Sequence, residues 1–145
     1  MKNFAAVLIL LLVAGPVLAG QGEDIENNFY ISGRAVVFFG PTWDEYVAMT
    51  DQDKDKINEE LYDFTHNRRE VHTYLEANGI RDAFTSSENI QIQIDSGEVI
   101  TYLRSELNYL FGVIMTDGQS RPKVFLGTAP TSELKSMFAA YFDLP

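Results

Sequence analysis

The stretch between Thr50 and Gly79 constrains the fold of this chain more than any other, because its apolar residues recur at helical spacing. These residues follow one another at intervals of four, three, seven and four, and they are Ile57, Leu61, Phe64, Val71 and Leu75. Such a pattern gives an α-helix one apolar stripe that must lie against a core. Thr50 is a typical N-cap, and Asn78–Gly79 is a typical left-handed end. The sequence therefore predicts one long amphipathic helix.

The opposite face of this helix is polar. Glu59, Asp63, His66 and Glu70 follow one another at intervals of four, three and four, which places them on one side of the helix. We expect this side to face solvent. Histidine and carboxylate at this spacing can bind a metal, but a single imidazole among carboxylates is typical of a solvated helix face. No metal site is predicted here.

Three alternate carboxylates at the start of the helix, Asp51, Asp53 and Asp55, open like a calcium-binding loop. The sixth position of that loop would be Lys56 instead of Gly, and the twelfth would be Tyr62 instead of a bidentate Glu. We therefore interpret the three residues as an acidic first turn, which suits the positive end of a helix dipole. No cofactor is predicted for this chain.

Strand patterns surround the long helix. Apolar or alternating runs lie at 29–39, 90–94, 98–104, 109–115 and 123–127, a short extended piece is expected at 80–85, and a last helical pattern begins near Thr131. The run at 35–39 is apolar on both sides of the pleat, so it predicts a strand covered on both faces. This order predicts an α+β fold, in which a mixed, largely antiparallel sheet packs against one long and one C-terminal helix.

Residues 36–43, which read Val-Val-Phe-Phe-Gly-Pro-Thr-Trp, resemble the strand and turn that carry the redox dithiol of thioredoxin-like domains. The order of strand, helix, hairpin and helix is also similar, and the resemblance covers about half of the chain. It implies a thioredoxin-like topology. It implies no redox centre, because the chain contains no cysteine.

Residues 1–19 have the features of a secretory signal. Lys2 precedes an entirely apolar run at 4–13, and Ala19 provides a small residue for cleavage. Gly-Pro at 15–16 interrupts the apolar segment too early for a membrane anchor. We predict cleavage after Ala19, a single domain over residues 20–145, and a periplasmic or secreted location without a membrane anchor.

The charge of the chain excludes one class of partner. Its net charge is −10, and no cluster of basic residues stands against it except Arg68–Arg69. A strongly acidic protein repels the phosphates of nucleic acids, so we predict no nucleic-acid partner. A cationic protein, a cationic peptide or a divalent metal is electrostatically acceptable, although acidity alone most often serves solubility.

Arg68 interrupts the apolar stripe of the long helix, and His72 lies at the edge of that stripe. A buried guanidinium is costly unless it meets a carboxylate, so Arg68 must either find a partner acid or extend its head to water at the rim of the domain. A second interpretation is a small pocket, in which Arg68 binds an anionic group and His72 or Tyr74 completes the site.

Thr42 and Trp43 follow the strand at 35–39, after Gly-Pro. Thr42 and Glu45 have the spacing of a capping box and predict a short helix. Ligands of α/β proteins gather beyond the carboxyl ends of strands, so this turn is a candidate binding site with Trp43 as its anchor. A half-buried core position is the alternative for Trp43.

The chain contains no nucleophile elbow, phosphate loop or dinucleotide fingerprint. We therefore predict an exported, non-enzymatic interaction module of the accessory or inhibitor type, which binds another protein or forms a homodimer. A partly bare sheet face would serve as its contact surface. The alternative is a small hydrolase or other acid-base enzyme that uses His72 or His66 together with Arg68.

Overall fold

The computed structural model describes residues 23–145, with side chains from residue 24 onward. The predicted signal at 1–19 and its cleavage site lie outside the described residues. The elements in chain order are β1 (Glu23–Ile25), β2 (Asn28–Ser32), β3 (Ala35–Phe39), α1 (Trp43–Val47), α2 (Asp51–Ala77), β4 (Arg81–Thr85), β5 (Asn89–Gln93), β6 (Val99–Leu103), α3 (Arg104–Leu107), β7 (Gly112–Thr116), β8 (Lys123–Leu126) and α4 (Thr131–Phe142).

The long helix forms as its sequence pattern predicts. Thr50 caps α2 by accepting a hydrogen bond from the backbone N–H of Asp53 at 3.1 Å. The apolar stripe faces the core, with Ile57, Phe64, Val71 and Leu75 buried and Leu61 partly buried. Glu59 and Asp63 on the opposite side are exposed. The predicted orientation of this helix is therefore confirmed.

The strands form two mixed sheets of four, where the sequence pattern predicted one. We call the sheet of order β1-β2-β5-β6 the outer sheet and the sheet of order β4-β3-β7-β8 the central sheet. Four of the six strand pairings are antiparallel, and the pairs β2–β5 and β3–β4 are parallel. The α+β class, the mixed sheet character and the two main helices are confirmed.

The central sheet lies between the helices and the outer sheet. On one face, Phe38 and Val113 pack with residues of α2 and α4 in the larger core. On the other face, Val37 and Ile114 pack with Phe29, Ile90 and other outer-sheet residues. Every residue of β3 is fully buried, because this strand is covered from both sides. The second cover is itself a sheet, so residues 23–145 contain eight strands in two sheets.

In the central sheet, β3 runs parallel to β4 through the crossover helix α2, and antiparallel to β7, which pairs with β8. The last helix, α4, follows this hairpin. This order is compatible with a thioredoxin-like topology, which stays a prediction. Within residues 23–145, no helix combines the length and the apolar character needed to cross a bilayer.

The solvent face of the outer sheet is mainly polar. Tyr30, Gln91 and Thr101 lie side by side across β2, β5 and β6 on this face, and the exposed apolar residues Val99 and Leu103 stand only at the ends of β6. The contact surface that we expected on a bare sheet face is therefore not present on this sheet, because alternation along the strands places polar side chains outward.

Candidate functional site

The candidate residues lie at two opposite ends of the central sheet. Because β3 and β4 are parallel, their carboxyl ends share one edge and their amino ends share the other. Thr42 and Trp43 follow the carboxyl end of β3. Arg68 and His72 reach the amino end of β4, where they contact Asp82. The structure therefore divides the candidates into two sites.

Asp82 is the centre of the first site. Its side chain is only 2% exposed, its Oδ2 accepts a hydrogen bond from Arg68 Nε at 3.0 Å, and its Oδ1 lies 2.5 Å from His72 Nδ1. The sequence left two outcomes for Arg68, a partner acid or a head group extended to water. The structure shows the partner acid, which is Asp82. The anionic group that Arg68 and His72 bind is thus a carboxylate of the chain itself.

Tyr74 and His66 do not join this site. Tyr74 is half-buried against the larger core, with the ammonium group of Lys135 at 5.8 Å from its ring centroid. His66 pairs with Glu70 at 3.3 Å, and both side chains are about half exposed. The polar stripe of α2 therefore faces solvent, as its pattern predicts.

The second ring nitrogen of His72 faces Glu76 at the surface. The imidazole is 48% exposed, and its Nε2 lies 3.7 Å from Oε1 of Glu76. Both residues line a cavity that also includes Gly79 and Ala83. We assign the ring proton to Nδ1, because the carboxylate of Asp82 can only accept a hydrogen bond. Nε2 then carries a lone pair that can take up a proton beside this cavity.

The second site is the short helix α1. Thr42 is buried and completes a capping box, in which its Oγ1 accepts from the N–H of Glu45 and its own N–H donates to Glu45 Oε1 at 2.8 Å. The hydroxyl of Thr42 is thus used within the helix. Trp43 is 72% exposed and Val47 is 46% exposed, one helical turn apart. Trp43 also stacks on Tyr46, with ring centroids 6.0 Å apart.

We call the surface formed by Trp43, Tyr46 and Val47 the Trp43 face. Trp43 does not occupy the half-buried core position that was its alternative in the sequence analysis. Trp43 is the first residue of α1, a helix of five residues in which no side chain is buried. An exposed tryptophan is unusual, and large exposed apolar surfaces often mark binding sites.

No protein-family model, curated protein or solved structure matches this chain. Its function must therefore be argued from the geometry of these two sites.

Arg104 is a buried residue that contacts the helix carrying the Trp43 face. The sequence interpretation missed it. The residue is 2% exposed, and its Nη2 donates to Glu45 Oε1 at 3.2 Å and to the carbonyl of Leu110 at 3.4 Å. Its guanidinium carbon lies 4.8 Å from the ring centroid of Phe39. Arg104 therefore ties α3 to the capping carboxylate of α1 and covers the end of β3.

The pKa of Arg104 is lowered by burial, while the carboxylates of Glu45 and Glu88 act in the opposite direction. Both carboxylates thus help to keep the buried guanidinium charged. The signal for this position was present in the sequence, because the alternation that buries Ile100 and turns Tyr102 inward along β6 continues to Arg104. A charged residue at an inward-facing position predicts a buried ion pair.

Proposed function

We propose that this chain is an exported, non-enzymatic protein-binding module of the accessory or inhibitor type, and that the Trp43 face is its contact surface. The observation that carries the proposal is the exposure of Trp43, at 72% of its surface, on a helix that is held in place. Tryptophan and tyrosine dominate the binding energy of protein interfaces, because they bury large areas with few rotatable bonds.

The rigidity of α1 supports this proposal. The capping box of Thr42 and Glu45, the pairing of Glu45 with Arg104, and the stacking of Trp43 on Tyr46 each restrict the helix. A preorganised surface loses little conformational freedom on binding, so more of its contact energy appears as affinity. A surface of this kind suits a protein partner or a second copy of the chain.

Replacing Trp43 by Ala is expected to weaken partner binding strongly and leave the fold intact. Truncation of a hot-spot residue costs about 2 kcal/mol or more, which corresponds to a loss of about thirtyfold in affinity. The chain without residues 1–19 is used as bait for affinity capture from the native cell envelope, and light scattering measures the mass of the captured complex or dimer. Trp43 is the only tryptophan, so its fluorescence reports binding directly, with a blue shift expected on contact.

Val99→Ala is the matched control, because Val99 is 48% exposed on the outer sheet and removed from the Trp43 face. This variant is expected to capture the same partner with wild-type affinity. Equal capture by the wild type and by Trp43→Ala would reject the Trp43 face as the contact surface, and a monomer that captures nothing would reject the binding function.

A second candidate function is acid-base catalysis at His72. The observation that favours it is the hydrogen-bonding distance of 2.5 Å between His72 and the buried Asp82 beside a cavity. A carboxylate that fixes one ring nitrogen orients the other nitrogen and stabilises the imidazolium formed when a proton is taken up. In this candidate His72 is the general base, and Asp82 and Arg68 position it.

The catalytic candidate predicts that His72→Asn lowers any hydrolytic activity of the chain by about 100-fold or more, the usual contribution of a general base. Initial rates on fluorogenic ester and phosphate substrates provide the measurement. His66→Asn is the control, since His66 pairs with Glu70 away from the cavity, and it should retain full activity. Equal rates for both variants, or no activity in the wild type, would exclude this candidate.

A further inference from the structure

The Trp43 face continues into a groove on α2. The hydroxyl oxygen of Tyr46 accepts a hydrogen bond from Asn58 Nδ2 at 3.1 Å, so α1 and α2 share one surface at this point. Asn58 lines the groove, and so does Tyr62, whose side chain is 68% exposed. Two widely exposed aromatic side chains, Trp43 and Tyr62, thus lie on one surface, connected through Tyr46 and Asn58.

The charge of this groove is uniformly negative. Its ionisable lining consists of the carboxylates of Asp55, Glu59 and Asp63 together with His66 and Tyr62, with no lysine or arginine. Among the side chains described from residue 24 onward, none of the three carboxylates forms an ion pair. Like charges four residues apart destabilise a helix by about 0.2–0.5 kcal/mol per pair. A cationic occupant would remove this repulsion.

The aromatic part of the surface already holds a cation of the chain itself. The ammonium group of Lys54 lies 5.6 Å from the ring centroid of Tyr46, which is a cation–π distance. A metal ion is a poorer occupant of the groove, since no three histidine, aspartate or glutamate side chains within the described part of the chain are grouped to bind one. The surface therefore suits a larger cationic group with apolar parts.

We infer that the Trp43 face and the acidic groove together bind a basic, Lys/Arg-rich segment of a partner protein. This inference rests on the proposed binding function and names the chemistry of the partner. Apolar parts of the segment contact Trp43 and Tyr62, and its cationic heads pair with the carboxylates of Asp55, Glu59 and Asp63. The net charge of −10 steers such a partner toward the chain and repels an acidic second copy.

The test uses a synthetic peptide of alternating Arg and Leu with blocked ends, and an otherwise identical peptide with uncharged citrulline in place of Arg. Calorimetry and Trp43 fluorescence measure binding to the full chain. The basic peptide is expected to bind and the citrulline peptide to bind at least tenfold more weakly. Affinity should fall severalfold as ionic strength rises from about 0.01 M to about 0.15 M, because the Debye length shrinks from about 30 Å to about 8 Å.

The decisive variant neutralises the groove by Asp55→Asn, Glu59→Gln and Asp63→Asn. We expect it to lose at least tenfold in affinity for the basic peptide, while thermal unfolding stays at or slightly above the wild-type temperature because repulsion is removed. The control variant carries Glu26→Gln, Glu98→Gln and Glu133→Gln, which change the net charge equally at exposed positions elsewhere. It should bind with an affinity close to that of the wild type.

The outcomes separate this inference from the proposed function. Equal affinity of the groove variant and the control variant, or equal affinity of the two peptides, overturns the inference. If Trp43→Ala loses its captured partner while the groove variant keeps it, the binding function stands and the basic partner is rejected. If the groove variant loses the peptide while Trp43→Ala keeps it, α2 binds a basic segment and the Trp43 face is not its contact.

Discussion

Replacing Phe38 by Ala is expected to lower the free energy of unfolding by about 3–5 kcal/mol, the usual cost of removing a buried aromatic side chain. Phe38 is fully buried in β3, the strand that is covered on both faces. Its ring meets Phe64 of α2 edge-on at 5.5 Å and Phe138 of α4 at 6.2 Å. The truncation therefore opens a cavity at the point where the central sheet contacts both main helices.

Urea unfolding monitored by circular dichroism measures this loss. Domains of this size have a total stability of about 5–15 kcal/mol, so the Phe38 variant is expected to be partly unfolded at a modest urea concentration. Trp43→Ala is the matched control, since it removes a larger aromatic side chain that is 72% exposed. Its stability should stay within about 0.5 kcal/mol of the wild type. Similar losses for both variants would contradict the arrangement of the core.

The parts of the fold that follow from local pattern could be predicted. The apolar stripe of α2, its Thr50 cap and its end before Gly79, which has a φ of 73°, are properties of one segment. The same holds for the capping box of Thr42 and for the antiparallel pairing of β5 with β6 across a short turn. Each of these features is decided by residues close in sequence, where spacing alone carries the information.

The second sheet could not be predicted in the same way. Alternation at 90–94 correctly predicts a strand with one polar face, but it does not specify the partner strand. The pairing of β5 with β2 is parallel and places Phe29 opposite Ile90. These two strands are far apart in the sequence, because the long helix α2 lies between them. The sequence predicted that β3 is covered on both faces. Either a second sheet or additional helices could provide the second cover, and the pattern of β3 does not distinguish between them.

The candidate sites depend on contacts between distant residues. The sequence left Arg68 either a partner acid or water at the rim of the domain, and its partner is Asp82, 14 residues further along the chain in a strand of otherwise mixed polarity. Glu45 and Arg104 are 59 residues apart. Charge pairs of this kind leave no local periodicity, so the sequence could state that a buried cation needs a partner but could not identify which carboxylate provides it.

Replacing Arg104 by Ala is expected to cost about 3 kcal/mol of stability, because removing one partner of a buried ion pair leaves the other uncompensated and leaves a cavity. The guanidinium is almost fully buried beside Phe39 and pairs with Glu45. The side chain of Glu45 is 37% exposed and can turn to water, which places the cost at the lower end of the range for buried pairs.

Arg104→Met separates packing from charge. Methionine retains an apolar stem over Phe39, and it also removes Nε and Nη1, which have no hydrogen-bond partner among the described residues. We therefore expect Met to recover more than half of the loss measured for Ala in urea unfolding. Both variants free Glu45 from its anchor, so both should weaken partner binding through the Trp43 face. Full binding by a stable Arg104→Met variant would show that α1 is held by its capping box alone.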